Sequence, residues 1–284
     1  MSRVDVGTIS AGSSSSDATA MLLELREVSV RFGGITALDS VSFDVNRGQI
    51  CGLIGPNGAG KTTLFDVVSG VRRPQRGWVS LDGVDISSFD PVKRCQAGLR
   101  RTFQRFQMFG WLTVEDNVLA AIEWHGGGGG FVGDMVGWPG RRRRERERRR
   151  LVDEALERCG LTGVRREFAG SLPIGTARMV EFARATVEPP KLLLLDEPAS
   201  GLHSDEVARL GEQIMAIRSE TGCTVLLVEH NAGFVMQHCD RVVVLALGSV
   251  LADGFPSEIQ NDAAVRSAYL GEVVSEGSSA EAGS

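Results

Sequence analysis

Gly55-Pro56-Asn57-Gly58-Ala59-Gly60-Lys61-Thr62-Thr63 is a complete G-x-x-x-x-G-K-[ST] loop. The apolar run Ile50-Cys51-Gly52-Leu53-Ile54 before it reads as a buried strand, and Thr63-Leu64-Phe65-Asp66-Val67-Val68 after it starts a helix. Strand, glycine loop and helix are the context in which this motif holds phosphate. Glycines let successive backbone N–H groups curl around phosphate oxygens, and the helix N-terminus adds the positive end of its dipole. Lys61 would reach the β- and γ-phosphates while the Thr62 hydroxyl would hold Mg²⁺. The expected ligand is a nucleoside triphosphate.

A second pair of residues belongs with this loop. Leu192-Leu193-Leu194-Leu195-Asp196-Glu197 places two carboxylates at the end of an apolar strand. A strand beside the phosphate loop would deliver Asp196 to the Mg²⁺ shell, and Glu197 would stand where water is polarised for in-line attack. Val228-Glu229-His230 ends the next strand in the same way, so His230 is a candidate to contact the γ-phosphate and orient the attacking water. His125, His203 and His238 read as structural.

The bulk numbers bound the rest. With 284 residues, 42% of them hydrophobic, the chain has room for one large α/β domain with a decorating subdomain. A formal charge of −5 argues against a surface built for nucleic acid. The five cysteines carry no C-x-x-C pair, which fits a reducing compartment rather than a disulfide framework or zinc site. No apolar run approaches the ~18 residues of a membrane span, so any membrane role is expected to come through partners.

Along the chain, residues 1–20 are Ser-rich and read as a disordered leader without a secretory h-region, and 273–284 as a disordered tail. Leu22 to Leu25, Val28 to Phe32 and Val41 to Val45 read as strands, the last two alternating as half-exposed antiparallel strands do. Gly77 to Gly83 reads as another strand with a turn. Residues from about 90 to 187 carry helical spacing, interrupted by the run Gly126 to Gly130 and a block of eight arginines and two glutamates over Arg141 to Arg150. That block is either a basic face for anionic lipid headgroups or a solvated, salt-bridged helix buried on Leu151, Ala155 and Leu156. The apolar Phe131, Val132, Met135, Val136 and Trp138 would pack back on the subdomain or dock on a partner.

These motifs together resemble the ATP-binding subunit of an ABC transporter over about residues 22–271. The fold then expected is α/β: a P-loop NTPase core with a mostly parallel sheet, an N-terminal antiparallel β-subdomain and a helical signature subdomain, all within residues 21–272. Arg101-Thr102-Phe103-Gln104 is similar to the family's glutamine loop, which implies that Gln104 touches Mg²⁺ or the lytic water. Phe32 matches the aromatic that stacks on adenine, or it is a strand-core phenylalanine. Leu172-Pro173-Ile174-Gly175-Thr176 stands where the family carries its signature, an anion site at a helix N-terminus offered to ATP on the opposite subunit. Leu172 and Gly175 match the common form, Pro173 does not, Ser171 would supply a hydroxyl from one residue earlier, and Thr176 closes the stretch. Ser200-Gly201-Leu202-His203 resembles the D-loop, with His203 for the usual Asp.

Arg31 to Leu38, Leu112 to Val118, Leu251 to Ile259 and Ala268-Tyr269-Leu270-Gly271 narrow the resemblance to branched-chain amino-acid importers and their urea or amide relatives. It implies ATP and Mg²⁺, a second ATP-binding subunit (identical or not), permease subunits, an external binding protein reached indirectly, and a place on the cytoplasmic face of the membrane. Rival classes fit less well. Ribosome-associated ATPases of this type carry two such domains, and DNA-repair forms need a long coiled coil that the ~130 residues between the two motifs do not supply. A regulator that binds nucleotide without hydrolysis has no use for Asp196, Glu197 and His230 together.

Overall fold

The computed structural model describes residues 21–102, 107–123 and 139–269. The expected leader and tail, Gln104, the Gly126 to Gly130 run with its apolar neighbours, and Leu270-Gly271 lie outside the described residues.

The chain opens with a hairpin of β1 (Met21–Phe32) and β2 (Ile35–Asn46) turning at Gly33. Leu22 to Leu25 and Val28 to Phe32 are one strand rather than two. Its register against β2 shifts between Leu25 and Val28, and Glu27 there has φ +51°. This bulge inserts one residue, so Leu23 and Leu25 before it and Val28 and Val30 after it all face the core. With β4 (Arg76–Leu81) and β5 (Val84–Asp85) they form an antiparallel sheet ordered β2-β1-β4-β5.

The second sheet holds β3 (Ile50–Ile54), β6 (Leu99–Arg101), β7 (Leu192–Asp196), β8 (Thr224–Val228), β9 (Arg241–Ala246) and β10 (Ser249–Gly254). Its order is β10-β9-β3-β8-β7-β6, parallel except for β10 against β9. Contrary to the sequence expectation, β7 is not beside the strand of the phosphate loop, because β8 lies between them. β6 falls within the stretch expected to be helical and extends the core sheet by pairing with β7. Along β7, Leu193 and Leu195 face one apolar cluster and Leu192 and Leu194 the other, so the strand is covered on both faces.

The helices among the described residues include α1 (Lys61–Ser69), α2 (Pro91–Gln96), α3 (Val114–Glu123), α4 (Pro139–Arg158), α5 (Ile174–Thr186), α6 (Ser204–Thr221), α7 (Ala232–His238) and α8 (Pro256–Asn261). α3, α4 and α5 pack on one another as a helical unit through Val118, Ile122, Val152, Leu156, Val180 and Phe182. On α4, Val152, Ala155 and Leu156 are buried while Leu151 is half-buried. Its exposed arginines pair along the helix, Arg149 with Glu145 at 2.8 Å and Arg150 with Glu154 at 3.4 Å, in the manner of a solvated face.

Candidate active site

β3 ends at Ile54, and the glycine loop carries the chain into α1, which begins at Lys61, two residues before the sequence pattern alone places it. Two glycines are obligatory. A Cβ on Gly55 (φ +153°) would stand 2.1 Å from the Leu245 carbonyl oxygen, and one on Gly60 (φ +105°) 2.6 Å from that of Ala37. Gly60 is also the N-cap of α1 and brings no side chain to the helix end, so the first turn's N–H groups point into the loop. Lys61 is buried, with Nζ donating to the carbonyls of Gly55 and Pro56 at 2.6 and 2.8 Å, while Thr62 is exposed.

The carboxylates expected to act with this loop lie at the carboxyl end of the same sheet. Asp196 is buried as the last residue of β7. Glu197 follows with φ +49°, a left-handed conformation that a residue with a side chain adopts at a cost of about 1–3 kcal/mol. Its N–H donates to the Val228 carbonyl at 2.9 Å, and its Oε1 lies 3.0 Å from His230 Nε2. The ladder pairs Asp196 with Val228, so the loops leaving β7 and β8 are neighbours, and Glu197 meets His230 across that gap. Because β8 is next to β3, this pair stands beside the phosphate loop although β7 does not touch β3.

Two charged residues unassigned by the sequence reading are built into this end of the sheet. Arg101 closes β6 with a side chain that is 7% exposed, and its guanidinium donates to Asp66 Oδ1 (2.8 Å), Ser69 Oγ (2.9 Å) and Asp196 Oδ2 (2.8 Å). It thereby joins α1 to the strand end that carries Asp196. Glu229 is 5% exposed and accepts from the backbone N–H groups of Ala199 (2.7 Å), His230 (3.0 Å) and Asn231 (3.4 Å). Burial pushes its carboxyl upward, and the three N–H groups oppose that. The available signals were a charge inside a strand pattern and an acid directly before His230.

Phe32 ends β1 exposed, with the Arg72 guanidinium 4.2 Å from its ring centroid. Around the signature, Pro173 is the N-cap of α5 and supplies no side-chain acceptor. Ser171 and Ile174 are exposed, Leu172 and Thr176 half-buried and Gly175 buried. The Ser171 hydroxyl donates to the Phe168 carbonyl at 2.8 Å. A Cβ on Gly175 would meet Glu206 Oε1 at 1.9 Å, and Glu206 in turn accepts from the His203 N–H, so the stretch expected to act as a signature packs directly on the start of α6. Gln104 lies outside the described residues, yet Gln107 beyond it is held at two points by α5. Its N–H donates to Glu181 Oε1 at 2.9 Å, and its carbonyl accepts from Arg184 Nη1 at 2.7 Å.

Residues 38–200 match the family profile described as ABC transporter. Residues 249–275 match the one described as branched-chain amino acid ATP-binding cassette transporter. The chain is 39% identical over 251 residues to High-affinity branched-chain amino acid transport ATP-binding protein BraF of Pseudomonas aeruginosa, covering 88% of this chain and 98% of that protein. It is 37% identical over the same length to LivG of Escherichia coli K12, which carries the same description, with the same coverage. Among solved structures, the ADP conformation of MJ1267, an ATP-binding cassette of an ABC transporter, superposes with a TM-score of 0.75 at 28% identity. That match covers 89% of this chain and all of the other.

Proposed function

The chain belongs to the ABC transporter family and is an ATPase of that family, and from this we propose that it powers an importer of branched-chain or other hydrophobic amino acids. The observation that carries the class of cargo is the match of residues 249–275 to the branched-chain profile.

The loop N–H groups from Gly55 to Thr63 and the Lys61 ammonium would hold the ATP phosphates, with Phe32 against the adenine. An exposed hydroxyl on Thr62 and a carboxylate on Asp196 are hard oxygen donors of the kind Mg²⁺ uses beside phosphates and water. With Gln104, they are the residues that would hold the ion, which would supply positive charge against the charge developing on phosphate. Glu197 takes the proton of the attacking water, and His230 orients that water and the γ-phosphate. The 3.0 Å contact between them supports that division of labour. Ser171, Leu172, Gly175 and Thr176 are offered to ATP on a second ATP-binding subunit.

Residues 21–272 act as one cassette, and its link to the membrane is through permease subunits on the cytoplasmic face. No helix among the described residues is long and apolar enough to cross a membrane. A cleft of about 640 Å³ between the core and the helical unit, lined by Val92, Cys95, Arg101, Phe109, Ala121 and Arg184, supports permease docking there. Exposed Trp111 and Phe168 flank the Phe109 side of the cleft.

The test is uptake into proteoliposomes that carry this chain with the permease, partner ATPase and binding protein encoded beside it. Labelled leucine should accumulate only with ATP and Mg²⁺, and Glu197→Gln should lower ATP turnover by about 10²- to 10⁴-fold without loss of ATP binding. Uptake of urea or an amide in place of leucine would overturn the cargo, and full turnover by Glu197→Gln would overturn the role of that residue.

A further inference from the structure

Glu229 is a carboxylate enclosed by the protein, and among the described residues no lysine or arginine forms a salt bridge with it. Its recorded partners are all main chain: Oε1 accepts from Ala199 N–H at 2.7 Å, and Oε2 from His230 N–H at 3.0 Å and Asn231 N–H at 3.4 Å. The first donor lies two residues beyond Glu197, and the other two belong to the loop that carries His230. One side chain therefore spans the gap between the loops leaving β7 and β8. On another side it lines a mainly apolar cavity of about 430 Å³ with Ile54, Met236, Ile259 and Tyr269, which Gln260 and Arg266 also border.

We propose that Glu229 is a positioning residue of the hydrolytic centre: its carboxylate ties the Ala199 backbone to that of His230 and Asn231 and so holds Glu197 against His230. The inference rests on the reading of Glu197 and His230 as the hydrolytic pair.

The strand ladder does not do this work. β7 and β8 are already paired up to Asp196 and Val228, and the two reacting side chains lie beyond that point. Glu197 is turned away from the strand by its left-handed backbone, with Ser200 N–H closing a turn onto its carbonyl at 3.1 Å. The Glu197 N–H bond to the Val228 carbonyl holds the start of that turn, and the bond from Ala199 N–H to Glu229 ties its far end to the His230 loop. An ionised carboxylate is an acceptor on both oxygens, which is what three converging N–H donors require. Glutamine has the same length but would turn an NH₂ group toward one set of donors, breaking one side of the clamp and leaving the fold's apolar contacts in place. Ala199 also precedes Ser200-Gly201-Leu202-His203, so the clamp joins the His230 loop to the stretch that resembles the D-loop.

The experiment uses the complete transporter, this chain with its partner ATPase and permease subunits, and reads kcat and KM for ATP beside ATP affinity and melting temperature. E229Q is expected to lower kcat by about 10- to 100-fold, the scale of loss when reacting groups shift by an ångström. KM and ATP affinity should stay within about threefold. E229D keeps both acceptors at shorter reach and should recover part of kcat. It carries the test if E229Q does not fold. Because the effect passes through the Glu197–His230 contact, E229Q placed in an H230A background should cost less than about twofold more. Wild-type kcat in E229Q, a loss that multiplies fully with H230A, or a loss shared equally by kcat and ATP binding would each overturn the proposal. If E197Q and H230A themselves turn over at the wild-type rate, the reading of the hydrolytic pair fails first, and that result is distinguishable from a silent E229Q.

Discussion

Arg94 is fully buried, and its guanidinium donates to the carbonyls of Val67 and Val68 at 2.6 and 2.7 Å while Nε donates to Phe89 O at 3.1 Å. Val67 and Val68 belong to the last turn of α1, where carbonyls run out of helical partners and that of Val67 accepts from the C-cap Gly70 N–H at 3.2 Å. Burial pulls the guanidinium down to about 10, which leaves it charged at neutral pH. Arg94 thus anchors the far end of the helix whose first turn forms the phosphate loop. Arg94→Met fills similar space but takes this donor from the Val68 carbonyl and leaves that of Val67 with the Gly70 N–H alone, so about 2–3 kcal/mol of stability should be lost. Thermal unfolding should then shift down by about 4–12 °C. An unchanged midpoint would show that other groups cap α1. At the same scale, Lys61, Asp196, Glu197 and His230 were legible because their spacing carries chemistry. Arg94, Arg101 and Glu229 were not, because a buried charge is recognised by what surrounds it, and sequence neighbours do not report that.

At the scale of elements, β3, α1 and β7 were readable from their apolar runs and the glycines between them. Their order was not: β8 takes the place between β3 and β7 although it comes later in the chain, since strand order follows from crossover connections rather than from local pattern. β6 was missed because three residues, two of them arginines, carry no periodicity. The contact most exposed to experiment joins α5 to Gln107 through Glu181. Burial raises the Glu181 carboxyl above its ordinary 4.5, with the Gln107 N–H and Arg178 pulling the other way. A carboxyl raised in the folded state binds more protons there than in the unfolded chain, so its contribution to stability falls as pH rises from about 4.5 through its folded value. The difference in melting temperature between wild type and Glu181→Gln should therefore move against wild type across that window and level off above it. A difference that moves toward wild type with rising pH would show that its hydrogen bonds outweigh its burial.

For the molecule as a whole, two apolar clusters lie on opposite faces of the six-stranded sheet, and four of the five cysteines are sealed within them. Burial pushes the thiols of Cys159, Cys223 and Cys239 up to about 12, and that of Cys51 higher still. A thiol at that value is roughly one part in 10⁵ thiolate near neutral pH, and the thiolate is the reacting form. Native protein should take up no more than one equivalent of maleimide at pH 7.5, against five after denaturation, as counted by mass spectrometry. Uptake of two or more before unfolding would show that these clusters open. The remaining thiol, Cys95, is half-buried on the wall of the cleft between core and helical unit. The wild-type chain therefore comes with a chemical reporter already installed. A fluorophore on Cys95 would sense whatever occupies that cleft, without the cysteine-free background that such labelling ordinarily demands.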